Sequence, residues 1–519
     1  MRTLAAVGLG ALLLSIACVR QERFRFVPSR TACFEETASA PAANGPPDEK
    51  PSLDCRHRQY SLAFIEFDSE GKAFDTGQEA AAMKLLDRAK AGAPGGKIIT
   101  VVYVHGWKNN AAEAPPGGTP QDVERFQSAL QELGYRSTKA AAGAGSVVPV
   151  VGIYMAWRGK TLRGPDWYTF ISLWGRRNAA NEIGDGPDLA PALNRIIEKT
   201  NEGGGQSRVL LVGHSFGARV LEHAIETKKV TLYDTIPASG FVTPRVDLVL
   251  YVNSANDARL SLARVEQLTA QPVIVRHPDF DESECRSGPQ PGATDADKEA
   301  LAARCRDYPL LVAITSTGDL ATKYLLPMAN SINSDKDSAP APVPPLGTFA
   351  DPVPKPVTFS HSAAGHLPFL YSHDVSAVSC PALPASPSSE APGTAAVKQA
   401  DYDRRLESAL HPVCGVSDKS CRFVFRTFGD EPSCFQVNLR AAVDGKPPFN
   451  RTAFWIMSVE PTVIKDHGDI WNLSFIEMLG QLMSPRGFFQ PGAKRIQLRT
   501  SAPRPALTES LCRLEDDCP

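Results

Sequence analysis

Short apolar runs rich in β-branched residues recur along the chain, with helix-patterned segments between them, and this alternation limits the fold more than any other feature. The runs are Tyr60-Ser-Leu-Ala-Phe-Ile-Glu-Phe67, Ile98 to Val104, Val147 to Tyr154, Val209 to Val212, Val246 to Val252, Leu310 to Ser316 and Phe454 to Val459. Apolar runs without polar alternation belong to strands buried on both faces. Gln78 to Ala91, Leu189 to Thr200, Ala218 to Thr227 and Phe475 to Met483 read as helices, and Val123, Phe126, Leu130 and Leu133 share one helical face. The order strand, helix, strand predicts an α/β fold built on a mostly parallel, doubly wound sheet.

The rhythm breaks twice. Asp257 to Asp307 holds a charged loop with Cys285 and Cys305, and Ser338 to Asp401 is rich in Pro, Ala and Ser. Segments of that length without periodicity are lids or disordered linkers. Asp401 to Leu439 then carries Cys414, Cys421 and Cys434 with two strand-like runs, Arg422 to Thr427 and Cys434 to Leu439, which predicts a disulfide-bonded insertion before the last strand. The expected division is a signal peptide over 1–18, a flexible tether over 19–57, the main core over 58–335, the Pro-rich and Cys-rich insertion over 336–450, and the last strand with the C-terminal tail over 451–519. With 55 basic and 57 acidic residues there is no broad positive surface for a polyanion, so nucleic acid is not expected as a partner.

Leu210-Leu-Val-Gly213-His-Ser215-Phe-Gly217-Ala-Arg-Val joins a strand to a helix through Gly-x-Ser-x-Gly. Small residues around the serine permit a tight turn that lifts its hydroxyl above the sheet, and the N-terminus of the next helix favours negative charge there. An earlier strand ends in Val101-Val-Tyr-Val-His105-Gly106-Trp107. With these two motifs the chain resembles the α/β-hydrolase superfamily, its serine esterase and lipase-like members in particular, from about Tyr60 to Leu482. The resemblance implies Ser215 as nucleophile, the backbone N–H groups of Trp107 and Phe216 as the oxyanion hole, and a triad in the chain order Ser, acid, His. His105 reads as a structural residue beneath the loop.

For the acid, Asp319 lies just past the run Leu310 to Ser316, while Asp257, past the preceding strand in Asn253-Ser-Ala-Asn-Asp257, is the rival; either also suits a helix N-cap. For the base, His467 follows the strand Phe454 to Val459 and precedes a helix, where such hydrolases carry it. His361, His366, His373 and His411 compete, and the Pro368, Phe369 and Tyr371 context of His366 and His373 suits a lid or packing. Trp107, Trp157, Trp167 and Trp174, with Tyr168 and Phe170, serve either the core or a substrate pocket. The implied chemistry is acyl transfer to water on a small ester or lipid substrate, with no metal or organic cofactor. A cell-surface binding protein that keeps the fold without the activity, and a peptidase on the same fold, are the competing readings.

Met1 to Val19 has a basic start, an apolar run from Leu4 to Ile16 and Ala17-Cys18, the layout of a secretory signal. Leu14-Ser-Ile-Ala-Cys18 resembles the lipobox of bacterial lipoproteins, departing from it at Ser15; the alternative is an ordinary signal cut nearby. The resemblance implies lipid on Cys18, a membrane anchor and a place in the bacterial cell envelope, with Val19 resembling lipoproteins of the outer membrane. Eleven cysteines leave ten for disulfides once Cys18 is lipidated. Short loops favour Cys33 with Cys55, Cys285 with Cys305, Cys414 with Cys421 and Cys512 with Cys518, which leaves Cys380 for Cys434. No Cys-x-x-Cys pair occurs to suggest zinc.

Overall fold

The structure is a computed structural model. It describes residues 23–27, 50–55, 57, 59–115, 118–141, 147–159, 173–203, 207–227, 230–235, 242–270, 294, 309–328, 361–382, 420–427, 432–441, 450 and 452–483. Its strands are β1 (Arg25–Phe26), β2 (Lys50–Pro51), β3 (Leu53–Asp54), β4 (Tyr60–Phe67), β5 (Ile99–Val104), β6 (Val150–Trp157), β7 (Arg208–His214), β8 (Tyr233–Thr235), β9 (Val242–Pro244), β10 (Leu248–Val252), β11 (Leu311–Ser316), β12 (His373–Val378), β13 (Cys421–Arg426), β14 (Cys434–Leu439) and β15 (Phe454–Val459). Its main helices are α1 (Thr76–Gly92), α2 (Asp122–Ala141), α3 (Leu173–Gly184), α4 (Leu189–Asn201), α5 (Phe216–Glu226), α6 (Ala258–Ala270) and α7 (Leu473–Met483).

Eight strands form the central sheet in the order β15-β11-β10-β7-β5-β6-β4-β3. Every neighbouring pair is parallel except β3 with β4 at the edge. Side chains of successive strand residues leave on opposite faces, and each face has its own core. Ile65, Val102, Ile153, Leu211 and Tyr251 pack under α1, α4, α5 and α6, while Phe64, Val101, Tyr154, Val212 and Leu250 pack under α2 and α7. No residue of β10 is more than 2% exposed, which accounts for its unbroken apolar sequence.

The apolar runs become the central strands with small shifts at their ends. The run expected from Val147 starts as a strand only at Val150 and continues to Trp157. Pro149 has no N–H to give to a ladder, although its carbonyl accepts from Ile99 N at 2.9 Å. The expected tether is attached to the core at its described ends. Buried Glu66 accepts from the backbone N–H groups of Phe24 and Arg25 at 2.9 Å each, and the Arg25 guanidinium lies 3.7 Å from the centroid of the Phe64 ring. β1 pairs with β2, and β3 with β4.

Between β11 and β15 the chain adds a small antiparallel sheet, β12-β14-β13. A disulfide joins Cys380, just past β12, to Cys434 at the start of β14. Cys55 and Cys421 are also disulfide-bonded, and the partners expected for them, Cys33 and Cys414, lie outside the described residues. So do Cys18, Cys285, Cys305, Cys512 and Cys518. No helix among the described residues is long and apolar enough to cross a membrane.

Candidate active site

The carboxyl ends of β5, β7, β10, β11 and β15 lie side by side, and the loops leaving them hold the singled-out polar residues. Ligand sites of open parallel sheets sit at this edge. β7 ends at His214, α5 begins at Phe216, and Ser215 between them has φ 56° and ψ −122°. A non-glycine residue in that region costs about 1–3 kcal/mol and needs its surroundings to hold it. They do so through three backbone hydrogen bonds: Ser215 N donates to Val252 O at 3.0 Å, and Ser215 O accepts from Ala255 N at 3.1 Å and Arg219 N at 3.2 Å. A Cβ on Gly217 would collide with the carbonyls of Val104 and His105, and one on Gly213 would lie 2.5 Å from Ala218 Cα. Both glycines therefore let α5 close onto the ends of β5 and β7.

Ser215 Oγ lies 2.7 Å from His467 Nε2, and His467 Nδ1 lies 2.9 Å from Asp319 Oδ2. Asp319 is fully buried and His467 partly exposed, so the hydroxyl, imidazole and carboxylate run from the cavity into the protein. Burial favours the neutral form of Asp319, but the charge and hydrogen bond of His467, with hydrogen bonds from Thr322, hold it below the usual carboxylate range. The Thr322 hydroxyl donates to Asp319 Oδ2 at 2.5 Å, and its oxygen accepts from His366 Nε2 at 2.9 Å. His366 thus reaches the carboxylate only through a threonine.

The loop carrying His467 is clamped by residues that the motifs do not reveal. His214 Nε2 donates to His467 O at 2.7 Å; burial pushes His214 down to about 3, so the ring is neutral at neutral pH. Asn253, itself at φ 46°, donates from Nδ2 to Asp466 O at 3.3 Å and His467 O at 3.1 Å, and accepts from Ser316 N at 2.9 Å. Ser316 Oγ donates to Ile464 O at 2.5 Å. One buried asparagine thereby connects the ends of β10, β11 and β15. Its only mark in the sequence is a place at a strand end, where asparagine tolerates positive φ.

Under the loop after β5, His105 is completely buried and pushed down to about 4 by that burial. Its Nδ1 donates to Gly106 O at 2.8 Å, its Nε2 accepts from Trp157 N at 3.0 Å, and its carbonyl accepts from Trp157 Nε1 at 2.7 Å. These bonds give His105 a structural place, and they make Trp157 a support of the loop. Gly106 is required because a Cβ there would lie 2.8 Å from Ser215 Cβ.

Trp107, Ser215, Phe216 and His467 line one cavity with Leu325 and Leu326, about 410 Å³ of atom-free space that opens to solvent. The rival acid Asp257 does not reach a histidine: Arg259 Nε and Nη2 donate to its two oxygens at 2.8 and 3.2 Å. His373 is buried, its ring centroid 3.7 Å from that of Trp455 and its Nδ1 2.9 Å from Ser372 Oγ. His411, Trp167, Tyr168, Phe170 and the side chain of Trp174 lie outside the described residues.

No family model and no curated protein matches the chain. Among solved structures the chain is similar to a lipase-esterase related protein from Clostridium acetobutylicum, with 14% identity over 44% of this chain and 78% of that one and a TM-score of 0.17. A likeness at that score carries no argument about this chain.

Proposed function

We propose that the protein is a serine hydrolase of the α/β-hydrolase fold that cleaves carboxylic esters through an acyl-enzyme. The observation carrying this reading is the unbroken relay from Ser215 Oγ through His467 to buried Asp319, at 2.7 and 2.9 Å. A serine hydroxyl is a weak nucleophile unless a base accepts its proton, and imidazole does so best when a carboxylate holds its tautomer. Asp319 on Nδ1 leaves Nε2 to accept from Ser215. As the hydroxyl attacks the ester carbonyl, its proton passes to Nε2, and Asp319 stabilises the imidazolium. The tetrahedral oxyanion is held by the amides of Trp107 and Phe216; the latter is the first residue of α5, whose N–H has no partner within the helix. His467 then protonates the departing alcohol, water attacks the acyl-enzyme by the same route, and the acid leaves.

The proposed setting is the bacterial cell envelope, with Cys18 lipidated and anchored in the outer membrane. Supporting it are the apolar run ending in Ala17-Cys18 and the attachment of Phe24 to Phe26 to the core, which leaves only a short link after Cys18. The deciding experiment is fluorophosphonate labelling of the disulfide-intact protein, with the adduct located by mass spectrometry. We expect labelling at Ser215, abolished in Ser215→Ala, with kcat/KM for a 4-nitrophenyl ester reduced by a factor on the order of 10⁴–10⁶. Folded protein that neither labels nor turns over ester belongs to the binding-protein reading.

A further inference from the structure

The relay from Ser215 continues past Asp319. Oδ1 of Asp319 accepts from the backbone N–H groups of Ala321 and Thr322 at 3.0 and 3.1 Å, while Oδ2 accepts from His467 Nδ1 at 2.9 Å and from the Thr322 hydroxyl at 2.5 Å. The Thr322 oxygen lies 2.9 Å from His366 Nε2. A hydroxyl has one proton, and Asp319 takes it here, so the ring nitrogen is the donor to the threonine. Acyl transfer by Ser215, His467 and Asp319 leaves this second histidine without a task.

The ring is held in this place by its own segment of the insertion. The short helical turn Ala364–His366 packs on the end of β11, where a Cβ on Gly365 would lie 2.1 Å from Thr315 Oγ1. The Tyr371 hydroxyl donates to Gly365 O at 2.9 Å, and Ala258 N, at the start of α6, donates to Ser362 O at 2.9 Å. Burial, with a smaller contribution from Lys323, holds His366 below the usual histidine value against the pull of Asp319, so at neutral pH the ring is uncharged. A neutral donor leaves the charge of Asp319 to the imidazolium that forms at His467. A threonine hydroxyl turns to suit its partners, and in a helical turn the competing acceptor for its proton is a backbone carbonyl three or four residues back. With the His366 N–H on its oxygen, the Thr322 hydroxyl is directed at Asp319 and is polarised into a stronger donor. Backbone amides already hold Oδ1, so these side chains decide where Oδ2 points.

We propose that His366 and Thr322 are positioning residues for the hydrolysis: His366 fixes the Thr322 hydroxyl on Asp319 Oδ2, and this keeps the carboxylate aimed at His467 Nδ1. Only with Nδ1–H claimed in this way does Nε2 face Ser215 as an acceptor. The insertion between β11 and β15 thereby supplies a residue to the working site. This inference extends the relay of the proposed hydrolase and rests on that reading.

The test is a double-mutant cycle on the full chain, read as kcat and KM for 4-nitrophenyl butyrate and as the rate of fluorophosphonate labelling, with melting curves to show that each variant is folded. His366→Leu is expected to lower kcat by about 10- to 30-fold with KM changed by less than about twofold, since the substrate cavity is intact and only the base is misdirected. His366→Gln, whose amide N–H can replace the ring donor, should stay within about threefold of the wild type, as should Thr322→Ser, which keeps the hydroxyl. Thr322→Val should lose at least as much as His366→Leu, and combining the two should lose no more than Thr322→Val alone, because His366 acts only through that hydroxyl. Wild-type kcat in His366→Leu, equal losses in His366→Leu and His366→Gln, or losses that multiply in the double variant overturn the inference, while Ser215-dependent turnover leaves the hydrolase reading standing. Absence of both turnover and labelling in the folded wild type overturns the two together. If His366→Leu does not fold, the threonine pair decides: a kcat lost in Thr322→Val and kept in Thr322→Ser supports the inference, and equal kcat in the two overturns it.

Discussion

Asp257 and Asp319 stand at the ends of neighbouring parallel strands, β10 and β11, both almost completely buried and both held below the usual carboxylate range against the effect of burial. What separates them is the partner. Asp319 faces an imidazole that can gain and lose a proton, whereas Asp257 faces guanidinium groups that cannot. The strand ends thus supply two carboxylates of similar burial, and only the one that meets His467 can serve proton transfer. Asp257 instead forms an ion pair with Arg259 at the start of α6.

The comparison breaks most sharply through the paired amide variants. Asp319→Asn is expected to lower kcat/KM for a 4-nitrophenyl ester by about 10⁴, because an amide no longer holds the imidazole in the useful tautomer or offsets its charge. Asp257→Asn should reduce the same quantity by less than about tenfold. A loss for Asp257→Asn as large as that for Asp319→Asn would mean that the assignment of the acid is wrong.

Stability should separate the two in the opposite sense. Removing the charge of Asp257 takes away the carboxylate that accepts from Arg259 Nε and Nη2, and breaking a buried pair in this way costs about 3–5 kcal/mol. Asp319→Asn leaves behind an imidazole that is partly exposed and should cost less. Urea unfolding of the two variants measures the difference, and equal losses would contradict the account of Asp257 as the structural carboxylate.

Asn253 sharpens the comparison further, since it bridges the strand ends without belonging to the relay. Asn253→Ala removes two donors to the His467 loop and one acceptor for Ser316. We expect kcat to fall by about 10- to 100-fold with little change in KM, the signature of a displaced imidazole rather than of weakened binding. A change confined to KM would argue against a positioning role.

Much of this arrangement is legible in the sequence, for a physical reason. Parallel strands buried on both faces must be apolar throughout, so β4, β7, β10, β11 and β15 stand out as runs, and Gly213 and Gly217 mark a turn that larger residues would block. Chain order past those strands then nominates Asp319 and His467. Other parts leave no such mark. β1, β2 and β3 are two residues each, too short for any periodicity, and they are held by Glu66, whose place inside an apolar strand reveals nothing of its partners. β12 has a half-exposed pattern and emerges only through its pairing with β14. Asn253, Ser316 and Thr322 act by single hydrogen bonds across long separations in the chain, and such bonds have no repeat to read. Nor does the sequence reveal that Arg177 shares a cavity with Ser215, because α3 carries no apolar stripe there that would predict its orientation.

The smallest expected effect concerns Glu222, behind Asp257. Its carboxyl is raised to about 8, first by burial and then by Glu226, against hydrogen bonds from Asn256 and Ser261. The folded protein therefore keeps a proton that the unfolded chain has lost. Glu222 thus contributes stability that is present below the ordinary glutamate pKa and is lost as pH rises through the window up to about 8. The slope for this one group is at most about 1.4 kcal/mol per pH unit. The buried histidines work with the opposite sign: His105 and His214, held down to about 4 and about 3, lose stability as pH falls below the usual histidine value and contribute nothing to the slope above it. Between pH 7 and 8 the two effects separate, and Glu222→Gln should flatten the decline in thermal stability that the wild type shows there. Parallel melting curves for wild type and variant across that interval would mean that Glu222 is already ionised at pH 7.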